Sequence, residues 1–577
     1  MEDARSDLTK YAVASLGVEQ ITVSDTSNNI HTKIRELVAE SVGSREEGES
    51  FAVVNLTKVL ERLELWHERF PMIVPVVPVK VNPDPVTLKL FVKAGVEFDI
   101  ASTVELEQVL KAGAKPEQIH ISTTSQLPGH MRYAHRNGLT HSQFDSVGEL
   151  DKFVKYWPNA ELLLRVHVPH NGSVSKTGEK YGCSLEDAPA LLQAAKDRSI
   201  IVVGTHFHVG CLIDNVDAYL DGLARSRKVF DTGNSMGFKM HVVNIGGGFS
   251  IYDGLPMGIS KHDFVTRSVK LAEALKTTFP EEGMVFHAEP GTYMNMSATS
   301  IVTPVIKVVQ AGCVQKAWVS DSIYGALCGV AWAGFGDILR NEMRVLNTEE
   351  GPEKKEDGGK QPTIVYGVTC DWEDVILNGV EMPALQEGAV LVWHHAGAYC
   401  LPCACDFNGF RFSSMPRKYV VEEPSQYRRD GFRVRYQVKK VPDKGLGLVL
   451  KQDVKKGEVI YAFEPDGRTH FVHNEASATA KLAGMKSDQA RAFFLNHIFG
   501  WRGEMIELIG DCMFMNHDKV SVLEVAPDDR TWIAARDLKA GDEIVDNYSQ
   551  YENPQWYIDL CKKYEVEWAG LVSERYS

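Results

Sequence analysis

Between residues 73 and 290 short apolar, β-rich runs alternate with helical patterns, and this alternation constrains the fold more than any other feature. The runs are IVPVVPVK (73–80), EFDIAS (97–102), IHIST (119–123), QFDS (143–146), ELLLRVHV (161–168), IVVGTHFHV (200–209), MHVVNIG (240–246) and MVFHAEP (284–290). Between them Val104–Ala112, Glu186–Lys196, Ala218–Phe230 and Lys261–Thr277 carry apolar residues at i, i+3 and i+4, the spacing of one helix face. Eight strands with intervening helices predict an α/β protein built on a (β/α)8 barrel, with a doubly wound open sheet as the alternative.

After residue 300 the texture changes to strands without regular helices, TSIVTPVIKVVQ, KAWVSD, TIVYGVTC and AVLVWHH, which predict a mostly β second domain. The run NTEEGPEKKEDGGKQP (347–362) reads as a solvated surface loop. The break VEEPSQYRRDGF (421–432) reads as a linker to a further unit. The expected divisions are an N-terminal segment 1–55 packing with the β domain, a barrel 56–298, the β domain 299–420, the linker, and a mostly β unit 433–577.

Charge and composition narrow the function class. A net charge of −15 and pI near 5.7 argue against a general nucleic-acid or anionic-membrane binder, since both need a basic face. A small cationic substrate remains compatible. Ten scattered cysteines fit a reducing compartment. The start MEDARSDLTKYAVASLG lacks the basic and apolar regions of a secretory signal, and no window approaches the ~18–20 apolar residues of a membrane span. A cytoplasmic enzyme is expected.

Active sites of such barrels lie where strands end and βα loops begin. Lys80 closes the first apolar strand, where an amine either snorkels to water or carries a depressed pKa and forms a Schiff base. The seventh strand runs into Gly246, Gly247 and Gly248, whose bare amides suit a phosphate or a simple turn. The eighth ends at Glu289, a carboxylate beside that loop. Lysine, phosphate cradle and carboxylate together suit pyridoxal 5'-phosphate, the carboxylate keeping the ring nitrogen protonated.

On the segments PVKVN, EFDIAS-TVELE, FHVGC, NIGGGF, AEPG, DSIYG, GVTCDWED and AGAY…DFNGF, the chain resembles the fold-type III pyridoxal-phosphate decarboxylases of ornithine, lysine and arginine, over roughly residues 50–420. The resemblance implies an alanine racemase/ornithine decarboxylase-like barrel packed on a β domain, and a homodimer with shared sites. It implies that Lys80 carries the cofactor, Glu289 pairs with the ring nitrogen and His208 stacks on the ring. Gly246, Gly247, Gly248 and Tyr399 would bind the phosphate, with Cys211 where the family has a serine. Asp99, Glu105 and Arg165 would form the polar network behind lysine and ring. Cys370, as proton donor, and Asp371, as contact for the distal amine, would come from the partner subunit, with Tyr324 and Phe407 completing the substrate pocket. A satisfied core histidine at His208 and a small buried hydrophobe at Cys370 are the competing readings.

Three positions depart from the family pattern: Thr292 replaces a phosphate-binding arginine, Cys211 the serine, and Ala333 an aspartate that pairs with the distal ammonium. The loss at Ala333 suggests a longer or N-alkylated diamino acid. A zinc reading of Cys400, Cys403 and Cys405 is set aside in favour of a buried strand, so no metal is expected.

From residue 433 the segments KGLGLVL, GDCMFMNHDKV and GDEIVDNYSQYE resemble a SET-domain methyltransferase. That resemblance implies S-adenosyl-L-methionine against Gly445 and Gly447 and the backbone near Asn516 and His517, with Tyr548 orienting the attacking amine. Tyr551 and Trp556 are candidates for an aromatic wall. The combined expectation is a bifunctional enzyme that decarboxylates lysine or ornithine and N-methylates an amine, giving an N-methylated diamine of the alkaloid or polyamine type. The alternative is a decarboxylase or decarboxylase-like sensor whose SET unit methylates protein lysines or serves as a docking module.

Overall fold

The computed structural model describes residues 2–21, 29–44, 46–169, 173–175, 180–213, 216–252, 261–332, 334–346, 359–422, 431–442, 444–462, 470–485, 488–501, 504–508, 511–528 and 531–567. Ala333, most of the expected 347–362 loop and most of the 421–432 linker lie outside these residues. The chain divides into two compact units, Met1–Gly254 with Asp263–Glu423, and Leu255–His262 with Pro424–Ser577.

In the first unit eight strands close into a parallel barrel: β1 Ile73–Pro78, β2 Glu97–Ile100, β3 Ile119–Ile121, β4 His141–Phe144, β5 Glu161–Arg165, β6 Ile201–His206, β7 Val242–Asn244 and β8 Val285–Ala288. Closure is made by β8 on β1, with Phe286 opposite Ile73, His287 opposite Val74 and Ala288 opposite Pro75. That pairing excludes the open sheet. The helices form where the apolar spacing places them, as Thr103–Ala112, Ala188–Asp197, Asp217–Ser235 and Lys261–Thr278. Thr103–Ala112 starts because the Ser102 side chain accepts the Glu105 N–H at 3.2 Å, and stops at Gly113 with φ 103°. Trp66, Phe249 and Tyr293 pack edge to face or tilted, with ring centroids 5.0 and 5.5 Å from Trp66, so an aromatic cluster fixes the chain just beyond both the glycine loop and Glu289.

The β domain of the same unit is a nine-stranded sheet centred on Thr299–Ala311. That strand pairs antiparallel with Phe51–Asn55, Val390–Trp393 and Val314–Val319. Glu19–Ile21 joins through Arg417–Glu422, so two N-terminal segments belong to this sheet. The Tyr419 hydroxyl donates to buried Asp84 at 2.5 Å, tying the sheet to the helix Pro85–Lys93 of the barrel. One expectation is corrected here: Cys400–Cys403 is a single helical turn, not a strand. Pro402 has no N–H for a ladder, and Tyr399 before the turn takes a left-handed φ of 64°. Cys400 is buried, whereas Cys403 and Cys405 are exposed.

The second unit is made mainly of short strands. Tyr436–Val441, Gly445–Leu450, Glu543–Asp546 and Asn516–His517 form one sheet. Two three-stranded sheets accompany it. The helices Glu475–Gly484, Asp488–Asn496 and Gln555–Lys563 gather around Ala478, Leu482, Phe494 and Tyr557. Among the described residues no helix is long and apolar enough to cross a membrane.

Candidate functional site

Lys80 sits two residues beyond the end of β1, in the tight turn Val79–Val81, and is exposed rather than buried. The Val81 carbonyl accepts the Tyr399 N–H at 3.0 Å, which brings the β-domain segment carrying Tyr399 against the lysine turn. The Lys80 ammonium acts electrostatically on Asp99, Glu105, Cys211, His208 and Glu289, so the barrel ends gather these residues around one point.

Glu289 is the centre of the polar network. It is 8% exposed, and its Oε1 accepts from His206 Nε2 at 2.9 Å, Asn244 Nδ2 at 3.1 Å and Ser122 Oγ at 3.3 Å. Oε2 takes no hydrogen bond among the described residues. Burial opposes ionisation, but the His206 contact, with the Lys80 charge, outweighs it and holds the carboxyl well below its usual range. Asp99 goes the other way: burial, then repulsion from Glu289, pushes it up to about 7. Burial and the Glu289 anion thus favour the protonated form of Asp99, while Glu289 keeps its charge through its own donors.

Ser122 links the network. Its N–H donates to Asp99 at 3.1 Å and its carbonyl accepts from Arg165 at 3.3 Å, while the Arg165 guanidinium lies over Tyr181, 4.9 Å from the ring centroid. Glu105 accepts the Ala101 N–H at 2.6 Å, a helix-start contact that also fixes its carboxylate within the field of Lys80. His208 is neutral, since burial drives its pKa down to about 3, and its Nδ1 accepts the Gly247 N–H at 2.8 Å. The ring proton therefore sits on Nε2.

The glycine loop is shaped by close approach. A Cβ on Gly247 would lie 2.9 Å from both the Glu289 carbonyl oxygen and His208 Cε1, and one on Gly248, at φ +104°, 2.7 Å from Ile213 Cγ1. The Gly246 N–H already donates to Asn244 Oδ1 at 2.8 Å and that of Gly247 to His208. Of the three amides expected to hold a phosphate, only that of Gly248 lacks a hydrogen bond among the described residues. Thr292 is buried and hydrogen-bonded to the Tyr399 side chain, and Cys211 opens the short strand Cys211–Ile213 beside the loop.

Tyr324, Cys370, Asp371 and Phe407 form a separate group. The Tyr324 hydroxyl donates to Asp371 at 2.5 Å, its ring lies 4.4 Å from that of Phe407, and the Cys370 N–H donates to Asn408 at 2.9 Å. Cys370 is exposed and its neighbour Trp372 is 83% exposed. Among the described residues no contact joins this group to Lys80, Glu289 or the glycine loop.

In the C-terminal unit Gly447, Asn516 and Glu543 meet. The Asn516 amide donates to the Leu446 carbonyl at 3.0 Å and to Glu543 at 2.7 Å, and a Cβ on Gly447 would come within 2.7 Å of that amide. Gly445 starts the same strand with φ 82°. His517 Nδ1 accepts the Tyr548 N–H at 3.0 Å, while its buried Nε2 has no partner. The Tyr548 hydroxyl donates to the Met515 carbonyl at 2.5 Å. Tyr551 stacks near Tyr548 with centroids 5.7 Å apart and against Phe499 at 4.3 Å. Trp556 is not part of that wall; it packs on the Ala478–Leu482 cluster because it lies on the helix Gln555–Lys563.

Sequence reasoning missed Ser122, His206, Asn244 and Phe499. The period-two rule on IVVGTHFHV sets His206 on the same side as His208, and Asn244 precedes the glycines by two, so both carried a usable signal. Ser122 and Phe499 carried none.

Residues 56–296 match the family described as "Pyridoxal-dependent decarboxylase, pyridoxal binding domain". The chloroplastic ornithine decarboxylase of Nicotiana glauca is 31% identical over 386 residues, covering 66% of this chain and 86% of that one. The crystal structure of the Paramecium bursaria Chlorella virus arginine decarboxylase superposes with TM-score 0.60 at 27% identity, over 68% of this chain and 100% of that one. Lysine decarboxylase from Selenomonas ruminantium superposes with TM-score 0.58 at 25% identity, over 71% and 98%. A closed barrel with this polar network, joined to a matching β domain, places the chain in that group: it belongs to the pyridoxal-dependent decarboxylases of the ornithine decarboxylase type.

Proposed function

We propose that the first unit uses pyridoxal 5'-phosphate to decarboxylate lysine or ornithine. The observation that carries this reading is Glu289, a buried anion with Oε1 saturated by three donors and Oε2 open. That carboxylate fits a protonated ring nitrogen, and the Gly248 amide, without a hydrogen bond among the described residues and on a loop too tightly packed for a Cβ, fits a bound phosphate ester. The bound pyridoxal ring supplies an acceptor for the electron pair left behind when carbon dioxide departs.

This chain's residues do the rest. Lys80 anchors the cofactor through its amine, and His208 presents a neutral ring face. Gly248, Thr292 and Tyr399 hold the phosphate end, while Ser122, His206 and Asn244 orient Glu289. Asp99 and Arg165 fix the network behind them. Cys370 and Trp372 are exposed on either side of half-buried Asp371, which supports a homodimer in which one subunit completes its neighbour's site. There Asp371 would bind the distal ammonium and the Cys370 thiol would return a proton to the substrate carbon. Ala333, small and uncharged in the sequence, leaves Asp371 as one acidic partner instead of two, which favours lysine or N-methyl-lysine at least as much as ornithine. Incubation with pyridoxal phosphate and each amino acid, read by mass spectrometry of the amine, tests this. The expected product is cadaverine or putrescine. No amine from any basic amino acid, in protein that has taken up the cofactor, would overturn the reading.

The C-terminal unit supports a second activity, SET-type N-methylation with S-adenosyl-L-methionine. The favouring observation is the Gly447–Asn516–Glu543 junction beside the His517–Tyr548 hydrogen bond, with His517 Nε2 buried and unpartnered. Gly445, Gly447, Asn516 and His517 would hold the methyl donor, which supplies an electrophilic methyl group, and Tyr548 would orient a neutral amine. Tyr548→Phe should abolish methyl transfer to lysine, cadaverine or putrescine from labelled donor while carbon dioxide release persists. Methylation of histone or other protein lysines alone would favour the protein-directed alternative, and no transfer at all the docking module.

A further inference from the structure

At the opposite end of the barrel the structure gathers side chains that the decarboxylase reading does not use. Glu97 opens β2, His120 lies in β3 and His287 in β8. His120 Nε2 is 2.6 Å and His287 Nε2 3.9 Å from Glu97 Oε2, and one ligand atom from each of the three residues lies within 4.8 Å of the others. Tetrahedral zinc, with nitrogen and oxygen donors at about 2.0–2.2 Å, needs its donors roughly 3.4 Å apart. The two spacings to Glu97 bracket that value, so side-chain rotations of modest size would complete the geometry.

His287 provides the independent observation. It is 8% exposed, its Nδ1 has no partner and its Nε2 makes no hydrogen bond among the described residues. Its polar neighbour among the described residues is Glu97 at 3.9 Å, and the buried Nδ1 left unpartnered is costly unless something else occupies the site. His287 and His120 line a cavity of about 30 Å³ together with His141, Glu161, His206 and Asn244. His141 stacks on His120 at 4.9 Å, its Nδ1 lies 3.6 Å from Glu161, and His241 is a further neighbour.

We propose that Glu97, His120 and His287 bind a divalent transition-metal ion of the zinc class, with a water or His141 in the fourth position. Two imidazoles and one carboxylate select zinc or cobalt over magnesium and calcium, which prefer all-oxygen sites. The ion would staple β8 to β2 and β3 two residues before Glu289. Its occupancy does not depend on the decarboxylase reading.

The test uses full-length, untagged protein stripped with a chelator, desalted and titrated with Zn2+ or Co2+. One equivalent should be retained by elemental analysis, with a melting temperature higher by a few degrees (~2–5 °C). The cobalt spectrum should be that of nitrogen and oxygen ligands, without sulfur charge transfer. His287→Gln should lower retention at least tenfold. Retention below about a tenth of an equivalent, sulfur charge transfer marking a cysteine site, or full retention in a folded His287→Gln protein would each overturn the proposal. If that variant does not fold, X-ray absorption of the wild-type zinc protein decides: two imidazoles in the first shell support the site, and none refutes it.

Discussion

Glu289 follows the last residue of β8 and Glu97 opens β2, so one barrel carries a carboxylate–histidine pair at each end. At the upper end three donors converge on Oε1 of a buried carboxylate, whose charge in turn raises the pKa of Asp99. At the lower end the Glu97 side chain is 24% exposed, accepts from His120 Nε2 at 2.6 Å and has His287 Nε2 3.9 Å away. Burial opposes the Glu97 anion, but the His120 hydrogen bond and the surrounding histidines still hold its pKa low. The same pair of residue types therefore serves two chemistries. Saturation by N–H and O–H donors makes a fixed anion for a cationic ring, whereas convergence of unprotonated nitrogens makes a cation site.

The largest expected effect breaks this comparison most severely. Glu289→Gln keeps the shape but removes the charge, and kcat for decarboxylation should fall roughly a hundred- to ten-thousandfold. Glu97→Gln should show its effect in metal retention, with a kcat loss at least tenfold smaller; equal losses in kcat would mean that the two ends are not chemically separate. Next in size is Thr292→Arg. A charge-assisted contact to the phosphate should tighten cofactor binding about tenfold in equilibrium dialysis, near the lower limit of ~1.5–3 kcal/mol for such a bond. Unchanged affinity in a folded variant would show that Tyr399 and Gly248 already saturate that end.

The smallest effect concerns pH. Burial raises Asp99 to about 7, above the ~3.9 of an unfolded chain, so the folded cofactor-free protein binds a proton that the unfolded chain has released. That contribution is fully present below about pH 4 and is lost as pH rises through about 7. Asp99→Asn should therefore raise the melting temperature of cofactor-free protein by a few degrees at pH 8 relative to wild type, by less than half as much at pH 5, and hardly at all at pH 4. A shift of the same size at pH 8 and pH 4 would remove Asp99 as the proton holder.

The two ends also differed in how much the sequence disclosed. Lys80, Gly246–Gly248 and Glu289 were legible because each lies at a strand end inside a short motif, and the alternation of strands and helices located those ends. Asn244 and His206 were half legible, as polar residues at strand positions whose facing follows from period two. Ser122 was not, because its role arises from the neighbouring Asp99 and Glu289 and leaves no pattern in IHIST. Glu97, His120 and His287 are scattered along the chain and meet only when β8 closes on β1, so no local reading joins them. The Cys400–Cys403 turn failed for a local reason, Pro402, that the sequence did contain. Ala333 contributes only its identity.

The central claim is that Lys80, in the turn after β1, anchors pyridoxal phosphate for decarboxylation of a basic amino acid. The direct test is borohydride reduction of full-length protein loaded with the cofactor, followed by peptide mapping. Modification confined to Lys80, absent when lysine or ornithine is added in excess before reduction, is the predicted result. Modification of a different lysine in protein that releases carbon dioxide from either amino acid would contradict the account.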